Sequence, residues 1–249
     1  MTKNNTLFIG GTHGDEPIGV EVLRRLEQTR TDFDWIIGNP KALAQNTRCF
    51  EGDLNRSAPG NASSPMYEER RAKEILDLSL QYDITIDIHG ASNATGIFII
   101  ITNPTEKNIA LAAALPIENI VIWPSISPEL AGPLSEYFPC GLEIECGDKN
   151  DTNIHDELYN ILNNFLNTDN SFSEWKKEIE NKKIYLVYDV LKNEKDIDTK
   201  NWKEFSEVTC NNETFFPLLI NTYKNINDVL CYKMKRQVLQ DVSSLLIKN

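Results

Sequence analysis

Residues 7–16 read Leu-Phe-Ile-Gly-Gly-Thr-His-Gly-Asp-Glu: a short apolar strand runs into a glycine-flanked turn that presents His13 and, three residues later, Glu16. Residues three apart become neighbours once a chain enters a helical turn. An imidazole and a carboxylate so placed are two of the three protein ligands that a hydrolytic zinc ion requires. The chain has only three histidines, and a second, His89, closes the run Ile84-Thr85-Ile86-Asp87-Ile88-His89-Gly90. In open α/β sheets ligands gather beyond the carboxyl ends of the strands, so His89 is the natural third ligand. The set His13, Glu16 and His89 leaves a fourth position for water, the mark of a catalytic zinc site holding one ion per chain. Asp87 shares the strand face of His89 and can orient an imidazole or line the pocket.

Such a site needs a base to take a proton from the attacking water. Gly141-Leu142-Glu143-Ile144-Glu145-Cys146-Gly147 sets two glutamates on one face of an otherwise apolar strand. Burying acids there is costly without a purpose. Glu145, nearer the strand's carboxyl end, is the expected base, with Glu143 as the runner-up. The stretch from Asn46 to Arg56 concentrates Arg48, Arg56 and Asn55 in a loop, which reads as a substrate clamp. Arginine binds a carboxylate through two parallel hydrogen bonds, and asparagine adds a directional amide. An arginine near the metal can also stabilise the oxyanion formed when water attacks an amide carbonyl.

The elements that position these residues follow from periodicity. Strand-like runs fall at 7–10, 34–38, 84–89, 97–102, 119–123 and 142–146, with helical periods at 17–30, 66–81, 106–114 and 153–166. Short, nearly all-apolar strands spaced by amphipathic helices predict a sheet covered by helices on both faces, an α/β fold. The polar, turn-rich segment 57–65 reads as a functional loop. Beyond Leu166, Asn, Lys and Glu rise, and apolar runs at 184–190 and 215–221 are separated by polar turns. The expected organisation is a catalytic domain over 1–168 and a small β-rich domain over 169–249, ending in a helix near 228–246.

Composition narrows the function. With 249 residues and 41% hydrophobic content the chain can build a sizeable core. A net charge of −12 argues against nucleic acid and anionic membrane surfaces as partners. No apolar run approaches the roughly 20 residues of a membrane span. The N-terminus enters a strand directly, with no signal-peptide apolar region. Five scattered cysteines without C-x-x-C spacing read as free thiols. A cytoplasmic enzyme is expected.

Residues Gly10 to Glu16, Asn39-Pro40, Thr47-Arg48, Asp53-Leu54-Asn55-Arg56, Asp87-Ile88-His89 and Glu145-Cys146-Gly147 occur in an order that resembles the succinylglutamate desuccinylase/aspartoacylase family, a branch of the zinc carboxypeptidase-like hydrolases. Phe216 to Asn221 more faintly resembles that family's C-terminal β-domain. The resemblance implies a three-layer αβα zinc-carboxypeptidase-like catalytic domain and a zinc-dependent amidohydrolase acting on an N-acyl amino acid. It implies His13, Glu16 and His89 as zinc ligands and Glu145 as general base. Arg48 would polarise the scissile carbonyl, and Asn55 with Arg56 would grip the α-carboxylate. Acetylaspartate-specific members carry a further arginine shortly before the base. Here no Lys or Arg occurs between Lys107 and Lys149, and Ser135 lies near that position. The family's substrate-facing tyrosine is matched only out of register, by Tyr223. A zinc carboxypeptidase acting on short peptides is the alternative, since it uses the same groups; a non-catalytic scaffold is a further rival. A nucleotide site at the glycine turn is disfavoured because G-x-x-x-x-G-K-[ST] is absent.

Overall fold

The computed structural model describes residues 5–91, 96–124, 132–148, 151–168, 175–194 and 197–238. The strands are β1 (Thr6–Gly10), β2 (Asp34–Ile37), β3 (Ile84–Gly90), β4 (Ile97–Ile101), β5 (Asn119–Ile122), β6 (Gly141–Cys146), β7 (Lys183–Lys192), β8 (Val208–Cys210), β9 (Glu213–Leu218) and β10 (Val229–Gln237). The helices are α1 (Ile18–Glu27), α2 (Pro40–Gln45), α3 (Tyr67–Ser79), α4 (Glu106–Ala114), α5 (Thr152–Asn167), α6 (Trp175–Ile179) and α7 (Lys224–Asn227). The strands lie in the order β2-β1-β3-β6-β4-β5-β7-β10-β9-β8. Neighbours from β2 to β6 are parallel, β4 runs antiparallel to β6, and β5 is parallel to both β4 and β7.

Alternation along the strands sorts side chains between two layers. Phe8, Ile86, Ile88, Ile99 and Ile144 face a core built with Ile18, Val22, Leu23 and Leu26 of α1, Ile109 and Leu111 of α4, and Leu158, Leu162 and Phe165 of α5. Each such side chain contributes about 1.5–3 kcal/mol on burial. Leu7 and Ile9 point the other way, onto Ala72, Ile75 and Leu76 of α3 with Leu54, Leu134 and Phe138. The architecture is therefore the three-layer αβα fold that the periodicity predicted. On that second face β3 and β6 carry Asp87, His89, Glu143 and Glu145, whose odd positions are out of phase with the apolar Ile86, Ile88, Leu142 and Ile144.

The polar C-terminal third continues the sheet. β7 pairs with β5, and β10 and β9 follow it antiparallel. The helix expected near 228–246 is not formed over its described part, because Val229–Gln237 is a strand. Register shifts between Val229 and Cys231 and between Lys233 and Met234 interrupt its alternation. Val229, Tyr232 and Met234 thus share one cluster despite spacings of three and two residues that do not keep a strict strand alternation. Residues 239–246 of that expectation lie outside the described residues. No described helix is long and apolar enough to cross a membrane.

Candidate metal centre and its pocket

β1 ends at Gly10, and the chain turns through Gly11 at φ +70, a left-handed conformation that glycine adopts without strain. The segment then passes so close to α2 that a Cβ on Gly14 would stand 2.0 Å from the Ala42 carbonyl carbon. This turn, not a helical one, brings His13 and Glu16 together: the Glu16 amide donates to the His13 carbonyl at 3.2 Å, and α1 begins only at Ile18. Strand order does the rest. β3 lies beside β1, so His89 at its carboxyl end faces the turn, and β6 beside β3 sets Glu145 opposite His89 and Glu143 opposite Asp87.

The three expected ligands converge, with one donor atom from each of His13, Glu16 and His89 within 4.8 Å of the others. His13 Nδ1 lies 2.9 Å from Glu16 Oε1, and His89 Nδ1 lies 3.1 Å from Glu16 Oε2. The outer nitrogens have carboxylates too: His13 Nε2 meets Asp53 at 3.1 Å, and His89 Nε2 meets Asp87 at 3.1 Å. Thr12 in turn donates to both oxygens of Asp87, at 2.8 and 3.0 Å. Both imidazoles are buried, at 3% and 2% exposure, with ring centroids 5.1 Å apart. With Glu16, Asp53 and Asp87 ionised, carboxylates on both nitrogens of each ring leave two arrangements: two buried imidazolium ions side by side, or one cation in place of the inner protons. A single dication would resolve the like-charge repulsion, with the outer carboxylates favouring the tautomer that would leave Nδ1 free to bind it. Two nitrogens and one carboxylate suit zinc.

The pKa directions follow the same logic. Burial alone would lower His13 and His89, yet Glu16 and Asp53 raise the first and Asp87 and Glu16 raise the second, well above the ordinary value. Burial would raise Asp53, but its hydrogen bond to His13 and the charge of Arg48 hold it well below the usual carboxylate range. Burial pushes Glu145 up to about 8, opposed by His89 and reinforced by Glu16 and Glu143. A dication among these groups would favour its ionised form.

A pH dependence follows. In the metal-free protein the paired imidazolium ions stabilise the fold fully below the ordinary pKa of 6.5, and this contribution is lost as pH rises through the raised folded values. Metal takes the neutral rings and releases protons, so its affinity grows over the same window. The rise in Tm on adding zinc should therefore be small near pH 5.5 and increase steadily toward pH 8. A shift independent of pH, read by thermal denaturation, would remove the histidines from the site.

Arg48 reaches Glu16 at 3.3 Å and Asp53 at 3.4 Å, and it stands over the Tyr223 ring at 5.8 Å. Burial works against its charge, but Tyr223, Asp53 and Glu16 keep the guanidinium protonated. Asn55 is buried in the short turn Leu54–Arg56, its Oδ1 accepting from the Leu134 amide at 3.0 Å and its Nδ2 donating to Glu143 at 3.2 Å. One Nδ2 hydrogen is left to point elsewhere. Ser135 donates to the same Glu143 oxygen at 2.8 Å, so Glu143 is tied into the wall. Among the described residues, Glu145 has no such tie. The expected residues His13, Glu16, Arg48, Asn55, Arg56, His89 and Glu145 all line one cavity of about 560 Å³, mouth included.

Sequence reasoning did not identify Asp53 and Thr12 as the groups that orient the histidines and Asp87, nor Ile100 and Leu219 as pocket walls; Tyr223, matched only out of register, and Trp123, the strand end before a flanking loop, do line the cavity. Asp53 lies 40 residues from His13, so no local spacing signals the pair. The sequence also marks residues 124–133 as a loop flanking the pocket, of which residues 125–131 lie outside the described residues.

A family model described as the Succinylglutamate desuccinylase/Aspartoacylase catalytic domain matches residues 2–168. A probable aspartoacylase of Prochlorococcus marinus (strain MIT 9301) is 32% identical over 211 residues, spanning 77% of this chain and 68% of that protein. A second, from strain MIT 9515, is 31% identical over 202 residues, spanning 75% and 67%. Among solved structures, murine aminoacylase 3 superposes with a TM-score of 0.74 at 18% identity, covering 95% of this chain and 96% of that one. The succinylglutamate desuccinylase of Chromobacterium violaceum gives a TM-score of 0.71 at 16% identity, covering 95% and 86%. At these identities the two structures establish a shared fold.

Proposed function

The chain belongs to the succinylglutamate desuccinylase/aspartoacylase family through residues 2–168, and from that premise we propose that it is a cytoplasmic zinc-dependent amidohydrolase that deacylates an N-acyl amino acid. The observation that carries this reading is the pair of buried imidazoles, each bracketed by carboxylates, converging on Glu16 beside Glu145. In this reading residues 1–168 form the catalytic unit, and residues 169–249 form a second unit that contributes Leu219 and Tyr223 to the pocket.

His13, Glu16 and His89 would hold one zinc ion per chain, which when bound supplies Lewis acidity that makes a water acidic near neutral pH and polarises a carbonyl. Glu145 takes the proton from the attacking water, then delivers it to the nitrogen as the amide bond breaks. Water thus adds its oxygen to the acyl carbon, and the products are a carboxylate and a free amino acid. Arg48 donates to the carbonyl oxygen as negative charge builds there. Arg56, with the remaining Asn55 hydrogen, holds the α-carboxylate and so fixes the near-attack orientation. Glu143 is assigned the structural role of aiming Asn55.

The test pairs metal content with turnover. Wild-type protein is expected to hold near-stoichiometric zinc by plasma mass spectrometry and to release free amino acid from N-acetyl amino acids. His13→Ala should retain almost none of the metal. A wild type that holds no zinc even after reconstitution would leave a binding scaffold as the better account. Faster cleavage of di- and tripeptides than of N-acetyl amino acids would favour the carboxypeptidase alternative.

A further inference from the structure

The cavity is polar over β1, β3 and β6 and apolar over β4, β5 and the turn after β9. Its second half is walled by Ile100 of β4, Trp123 just beyond β5, Pro133, Leu219 and Tyr223. Aromatic packing stiffens this wall: Trp123 packs tilted and Tyr223 edge-on against Tyr232, with centroids 4.4 and 6.0 Å away. Leu219 is 3% exposed and sits at φ 52, in the left-handed region that a leucine rarely adopts. The turn that follows holds it there, through the Thr222 amide on the Leu219 carbonyl at 3.2 Å and the Asn221 amide on the Leu230 carbonyl at 2.8 Å. Backbone strain of this kind persists where the surroundings over-determine it, and such places cluster at ligand sites.

Charge points the same way. Among the described residues, the cations lining the cavity are Arg48 and Arg56. Arg48 already spans Glu16 and Asp53. The chain from residue 108 to residue 148, which supplies β5, β6 and the intervening segment, contains no Lys or Arg. Thr102, at the foot of the apolar wall, has its hydroxyl engaged with Ser135 at 3.0 Å. A second carboxylate on a substrate, set against this wall, would be desolvated without a cation and would face Glu143 and Glu145.

We propose that this pocket selects N-acyl derivatives of amino acids with neutral, apolar side chains, with Trp123 and Leu219 as the specificity wall that disfavours a second carboxylate. The assignment rests on the deacylase reading above. It departs from the acidic substrate in the names of the Prochlorococcus relatives.

The test uses the zinc-loaded full chain. Values of kcat/KM are compared for N-acetyl-leucine, N-acetyl-phenylalanine, N-acetyl-aspartate and N-succinyl-glutamate. Calorimetry on the same preparation measures binding of free leucine and free aspartate, which needs no turnover. The apolar substrates are expected to exceed both acidic ones by about tenfold or more, the scale on which an apolar pocket discriminates, and leucine to bind more tightly than aspartate. Equal or faster cleavage of the acidic substrates, or tighter aspartate binding, overturns the proposal. Tighter leucine binding with no cleavage of any substrate would sustain the pocket assignment and sink the deacylase reading. Neither binding nor cleavage would overturn both.

Discussion

Glu145→Gln is expected to lower kcat by about a thousandfold, within the 10²–10⁴ range of general acid–base catalysis, while zinc content stays unchanged. The two glutamates of β6 point to the same face, yet their surroundings differ. Glu143 accepts from Asn55 and Ser135 and is 5% exposed, whereas Glu145 stands opposite His89 at the open end of the strand. Without metal, burial raises the Glu145 carboxyl to about 8; a bound dication would bring it back down, leaving a carboxylate able to take a proton from water. Glutamine keeps the shape and removes the titratable carboxylate that accepts and returns the proton. Because His13, Glu16 and His89 are untouched, the loss should fall on kcat with KM little changed. Glu143→Gln retains an acceptor oxygen for Ser135 and Asn55, and should cost no more than about tenfold. If that variant proves the dead one, the base is Glu143. If Glu145→Gln loses zinc along with activity, Glu145 helps hold the metal.

The largest effect on stability is expected from Glu68→Ala. Glu68 projects from α3 with no exposure to solvent. Its carboxylate accepts from the backbone amides of Phe50, Glu51 and Gly52 at 3.0 to 3.1 Å, and from the Asn39 side chain at 3.1 Å. The other end of Asn39 caps α2 through the Ala42 amide. One buried carboxylate thus organises the loop that carries Arg48 and Asp53. Alanine would strand these donors, at about 1–3 kcal/mol for each one left unsatisfied; with about two of the four kept from water, a loss of about 3–5 kcal/mol is expected from urea denaturation. Zinc affinity should weaken by about 10–100-fold as Asp53 loses its hold on His13. Glu68→Gln, which keeps one acceptor oxygen, should recover about half of the stability. A Glu68→Ala midpoint close to wild type would mean that the loop amides find water instead.

Much of the αβα layering was legible because alternation and helical period are local. Once β3 and β6 are strands, covalent geometry alone puts Asp87 with His89, and Glu143 with Glu145, on the face away from α1 and α5. The turn residues Gly11 and Gly14 were legible as a turn, but the reason for Gly14, the close approach of α2, was not. In β10 the local signal misled, since two register shifts broke the alternation that marks a strand and left a continuous buried run over residues 229–234.

By itself the sequence determined the residue types able to bind metal and move a proton, and the strand faces that carry them, since both depend only on neighbours along the chain. The tertiary structure decided what no local pattern encodes. The order β1-β3-β6 brings residues 13, 89 and 145 to one cavity; Asp53 and Asp87 lie against the outer imidazole nitrogens; and the docking of β7 on β5 allows the turn after β9 to supply Leu219 and Tyr223. These follow from which surfaces bury one another, a long-range choice made by the packing of the whole chain.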